Sequence, residues 1–164
     1  MKGYVVCVYK SISYEEKLKE YYRLFDGQSH QDKMLKLRKI ALSIMELLAI
    51  FQTFLVGPVA NGTASSSSPI NIHLTADNIE ELMGQLDKEA ITYKLYERQL
   101  KTGSQSTKSF KGLAFIYEKI NIEITVFSHK EIRQIPVSRI NKKPMQRTRL
   151  KALKKLLATS CPII

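Results

Sequence analysis

The residues of this chain that could do chemistry fall into three groups. Gly57 to Pro69 is rich in glycine and serine, and a loop of this kind can present backbone N–H groups to phosphate oxygens. Gly57, Gly62, Thr63, Ser65 and Ser66 are its candidate phosphate or nucleotide contacts. Directly after it, Ile70, Ile72 and Leu74 alternate with Asn71, His73 and Thr75, and later Ile120, Ile122, Ile124 and Val126 alternate with Asn121, Glu123 and Thr125. A period of two is that of a strand with one buried face, so each run shows its polar residues on the other face. If the two strands neighbour each other, Asn71, His73 and Glu123 share one surface beside the loop. The third group is Arg133, Arg139 and Arg147, which could meet phosphate in a basic C-terminal segment.

Several chemistries are excluded or weakened. Gly57 and Gly62 have the spacing that opens a P-loop, but Thr63 and Ala64 stand where lysine and a hydroxyl residue should follow, so Walker-type ATP hydrolysis is not expected. There is no GxGxxG, no HExxH and no Cys/His zinc spacing. A serine nucleophile among Ser65 to Ser68 lacks a base and an orienting acid at telling positions.

The elements that must position these residues can be read in order. Tyr4 to Tyr9 suggests a short strand. Ser13 to Glu16 has the form of a capping box, opening a helix that Asp26-Gly27 ends near Phe25. A second helix is expected from about Asp32 to Ile50, on the spacing of Leu37, Ile40, Ala41, Ile44, Leu47 and Leu48. An apolar run then reaches the glycine-rich loop, and the Asn71 to Leu74 strand follows it. Asp77 is the expected cap of a third helix with Ile79, Leu82, Met83 and Leu86 on its core stripe. Ile91 to Leu100 reads as a strand, Lys101 to Lys111 as a loop, and Gly112 to Tyr117 and Ile120 to Phe127 as a hairpin about Glu118-Lys119. Beyond it, Pro136 and Pro144 predict an extended segment, and Leu150, Leu153, Leu156 and Leu157 a last helix with Lys151, Lys154 and Lys155 outward.

This order of elements resembles the nucleotidyltransferase superfamily over roughly residues 40–127. Members carry G-S or G-G after a first strand, then D-x-D, then a third acid. Gly57 and Gly62 to Ser66 stand in the loop position, Asn71-Ile72-His73 in the place of D-x-D, and Glu123 in that of the third acid. The chain is also similar to small bacterial proteins of this kind with a GPVA-G-A-S-S loop and a later RQ-P-S-KPM-R segment. Those motifs are matched here by Gly57 to Ser66 and by Arg133 to Ser138 with Lys143 to Arg147. The resemblance implies an α+β fold, a small mixed or antiparallel sheet with helices mainly on one face. It also implies a nucleotide ligand, Mg²⁺ held by Asn71, His73 and Glu123, and a catalytic role for Glu123.

The departures from the family pattern point elsewhere. Two-metal transfer needs several anionic oxygens, and Asn71, neutral His73 and Glu123 supply one. Imidazole suits Zn²⁺, Cu²⁺ or Fe better than Mg²⁺. A degenerate metal site is therefore expected, with a bound nucleotide or other phosphate and little or no transfer. Two bland readings compete with it: His73 as a hydrogen-bonded residue of a half-buried surface, and Glu123 as a solvated sheet residue. Two functional alternatives also stand, an active transferase with unusual metal ligands and a non-specific nucleic-acid-binding protein.

Composition bounds these readings. With 164 residues, 44% of them hydrophobic and 25% charged, the chain fits one globular domain. It divides into residues 1–50 (strand and helices), 51–127 (the nucleotidyltransferase-like core) and 128–164 (a basic arm and helix). The net charge is +11, and His129 to Lys155 holds ten Lys/Arg against the single acid Glu131. That segment is where an anion would be met, although it has no Phe, Tyr or Trp to stack on bases. Two distant cysteines, Cys7 and Cys161, give no disulfide framework, so a reducing cytoplasm is the expected location. Residues 40–60 are mostly apolar, but Glu46 makes a membrane span unfavourable.

Overall fold

The computed structural model describes residues 14–102, 106–139 and 142–159. The suggested strand at Tyr4 to Tyr9 and the Ser13 cap lie outside them. Helices α1 (Tyr14–Phe25) and α2 (Gly27–Leu47) come first. They lead to β1 (Gln52–Val56), the short helix α3 (Gly57–Asn61), β2 (Ile70–Thr75) and α4 (Ile79–Lys88). Strands β3 (Lys94–Lys101), β4 (Thr107–Tyr117) and β5 (Ile120–Phe127) follow. A 3-10 turn at Glu131–Arg133, β6 (Thr148–Arg149) and α5 (Leu150–Thr159) complete the described chain.

The fold is mixed, with a six-stranded sheet in the order β3-β4-β5-β2-β1-β6. Among the described pairings only β2 with β5 is parallel, because α4 and the β3–β4 hairpin carry the chain across between them. One face carries the main core. Ile70, Ile72, Leu74, Leu113, Ile122 and Ile124 pack there with Leu37, Ile40 and Ile44 of α2, Leu82 and Leu86 of α4, and Leu153 of α5. The other face carries a smaller cluster of Phe54, Val56, Leu100, Phe110 and Phe127, covered by Ile132 and Met145 of the C-terminal segment rather than by a helix. The strict alternation in β2 and β5 thus separates a helix-covered face from one that keeps polar groups.

Six local expectations are corrected. Helix α2 begins at Gly27, not Asp32, and stops at Leu47, not Ile50. Gly27 does not end a helix, because only Asp26 leaves helical geometry between α1 and α2 (φ −143°). The glycine-rich stretch is not all loop: Pro58 supplies a helical φ near the start of α3, and left-handed Gly62 (φ +80°) ends it. Strand β3 begins at Lys94, not Ile91. The loop expected over Lys101 to Lys111 is shorter, since β4 starts at Thr107 and pairs with β3 out to Lys101. Finally, Asn78 rather than Asp77 caps α4, accepting from the Glu81 amide at 3.0 Å. Asn78→Ala is expected to cost about 1 kcal/mol. A urea midpoint unchanged by that substitution would show that the cap does not matter.

The β4–β5 hairpin forms as read, with Glu118 and Lys119 at φ +48° and +64°. Such a pair of left-handed residues matches the twist of adjoining antiparallel strands. The C-terminal segment crosses the second sheet face. An antiparallel bridge of Thr102 with Pro136 ties it to the end of β3, and another, Val137 with Pro144, folds it on itself. No described helix is long and apolar enough to cross a membrane.

Candidate anion-binding site

Parallel register sets Asn71 directly opposite Glu123 and His73 opposite Thr125, all on the sheet face away from the main helical core. The juxtaposition expected from two separate alternations is therefore present. A residue that spacing did not single out lies between its members. From β3, Arg98 donates through Nη1 to Asn71 Oδ1 at 3.1 Å and through Nη2 to a Glu123 carboxylate oxygen. Its guanidinium also lies 5.2 Å from the Tyr96 ring centroid, and Tyr96 in turn shares a 2.8 Å hydrogen bond with Thr125 Oγ1. Gly112, between β3 and β5, leaves the space through which Tyr96 crosses β4.

His73 is buried, at 2% exposure, with its ring centroid 4.6 Å from that of Phe127. Its Nδ1 has no hydrogen-bond partner among the described residues. Burial first, then the positive charges of Arg147 and Arg98, push its pKa down to about 3. The imidazole is thus neutral at ordinary pH and supplies no positive charge to an anion. The hydrogen-bonded His73 of the bland reading is not what this environment provides, at least at Nδ1.

A pocket of about 560 Å³ opens over these residues, between the sheet face, α1, α3 and the C-terminal segment. It brings together Gly57, Thr63, Asn71, His73 and Arg139 from the sequence candidates, and adds Arg98 and Lys143. Arg139 also donates to the Gln99 carbonyl at 2.7 Å, which fixes it against β3. Among the described residues the single acid on the wall is Glu15 of α1, accepting from Asn61 of α3 at 3.0 Å. Leu18, Val56, Pro58, Leu100 and Met145 make much of the remaining wall apolar.

Other candidates lie elsewhere. Gly62 faces a different depression, where its carbonyl meets His30 Nε2 at 3.0 Å. Ser65 and Ser66 are exposed, and the Ser65 amide is taken by Ser68 Oγ at 2.9 Å, so this part of the loop closes on itself. Arg133 is exposed at the end of the 3-10 turn. Arg147 is turned inward between aromatic rings, 5.3 Å from the Phe54 centroid and 5.6 Å from that of Phe127. It donates to the Ile132 carbonyl, and its Nε and Nη2 are buried without partners among the described residues. Its position makes it a support for the C-terminal segment rather than a pocket cation.

Mg²⁺ does not fit this donor set. The Asn71 carbonyl and the Glu123 carboxylate, the two oxygen donors that register brings together, both accept from Arg98. Among the described residues no group of three or more His, Cys, Asp and Glu side chains could hold a metal. Compared with protein-family models, curated proteins and solved structures, the chain matches none.

Proposed function

We propose that this chain is a nucleotidyltransferase-like protein with a degenerate metal site, which binds a nucleotide or other phosphate ligand without efficient transfer. The observation that supports it best is the gathering of Gly57, Thr63, Asn71 and His73 with Arg98, Arg139 and Lys143 around one pocket. With Glu123 counted as the partner of Arg98, three cations stand against two acids among the described residues, which still favours an anionic ligand, and the apolar wall favours one with a ring-sized body. The active-transferase reading needs Glu123 free to bind a metal, and its engagement by Arg98 speaks against that role. The nucleic-acid reading draws on the exposed Arg149, Lys151 and Lys155, but loses Arg147 to the interior and Lys154 to an ion pair with Glu46 at 2.7 Å.

Calorimetry with ATP, GTP and a UDP-sugar is the test. Saturable binding, weakened by Arg139→Ala, is expected. No heat at millimolar ligand would sink the proposal.

A further inference from the structure

We propose that Arg98 is a built-in cation standing in the place of a divalent metal, so that the pocket takes a phosphate or carboxylate group directly and without metal. The inference rests on the anion-binding reading of the pocket given above. It starts from the pairing of β2 with β5, which puts one neutral oxygen donor, Asn71 Oδ1, beside one anionic donor, Glu123. A hard divalent cation asks for more anionic oxygen than that. A guanidinium asks for less: its planar fork can take the carbonyl with one terminal nitrogen and the carboxylate with the other, as Arg98 does.

The two bonds use one N–H on each terminal nitrogen. The remaining N–H groups belong to a side chain that lines the pocket and is 31% exposed. Arg98 is also held in place from outside the pair. The Tyr96 ring lies beside it, and the Tyr96 hydroxyl is anchored on Thr125. A metal on Glu123 would sit beside this guanidinium, whose positive charge would oppose it. An incoming oxyanion meets the opposite situation. It finds a fixed cation, with Arg139, Lys143 and the neutral Asn71 and His73 also lining the pocket.

The experiment uses the full chain, with ATP and inorganic phosphate as probes, each titrated in EDTA and again in excess Mg²⁺. Binding in EDTA at least as tight as in Mg²⁺ is the expected result. Arg98→Met should weaken both probes by at least roughly tenfold, the loss of a charge-assisted contact. The double variant Arg98→Met with Glu123→Gln removes both charges together and should bind equally weakly, which covers the case in which the single variant does not fold. Binding at least tenfold tighter in Mg²⁺ than in EDTA would overturn this inference and leave the pocket reading standing. Undiminished binding in the double variant would do the same. No binding of either probe under any condition would overturn both.

Discussion

Gly112→Ala is expected to lower stability by about 3 kcal/mol, the scale of overpacking a well-filled position, and to weaken the pocket at the same time. A Cβ at residue 112 would stand 2.4 Å from Tyr96 Cζ, 2.6 Å from the Tyr96 hydroxyl and 2.5 Å from the Ile124 carbonyl oxygen. The tyrosine can swing away, but the carbonyl belongs to the backbone of β5 at the centre of the sheet and cannot move alone. If Tyr96 leaves, its 2.8 Å bond to Thr125 and its place beside Arg98 go with it. Loss of stability therefore couples to loss of Arg98 order. Adding Tyr96→Ala to Gly112→Ala should restore part of the stability, since only the backbone clash remains, and should not restore anion affinity. Urea unfolding and phosphate titration of the three variants check this. A Gly112→Ala protein within about 0.5 kcal/mol of the parent, the range of an ordinary surface change, would show that Tyr96 does not cross there.

The second large effect is on the acid side of the stability profile. The unfolded chain takes up a proton on His73 near the ordinary 6.5, whereas the folded protein resists it down to about 3. Between those values the unfolded state binds more protons, so stability rises with pH. The contribution of His73 is complete above 6.5 and is lost progressively as pH falls toward 3. The full shift corresponds to at most about 5 kcal/mol. His73→Leu keeps the site apolar and cannot titrate, so its urea midpoint should fall less steeply than the parent's between pH 6.5 and pH 4. Carboxylates contribute to both profiles, and the difference between the two proteins isolates the histidine. Parallel profiles would mean that His73 is solvated after all.

Much of the framework was legible because it depends on local periodicity. Helix stripes at Leu37, Ile40 and Ile44 and at Ile79, Leu82 and Leu86 reach the core as their spacing requires. The alternations in β2 and β5 give the right faces, and Glu118-Lys119 makes the expected turn. Boundaries were less legible where two signals competed. Asp26-Gly27 looks like a stop, yet Gly27 continues as helix because His30, three residues on, is held against Gly62 and stacked on Tyr22. The polar run after Lys101 looks like a loop, yet pairing with β3 recruits it into β4.

The sequence alone determined which residues share a strand face, and therefore that Asn71, His73 and Glu123 are two anions short of the three-carboxylate set that would hold two magnesium ions. Tertiary structure decided what fills the shortfall. Arg98 sits in a strand 25 residues before Glu123, and no local pattern says which carboxylate a long side chain will reach. That depends on the sheet order, on the gap at Gly112 that lets Tyr96 cross, and on the segment that folds back over the same face. The same folding back turns Arg147 from an apparent phosphate ligand into a half-buried support, because a side chain's surroundings are set by distant strands and not by its neighbours in the chain.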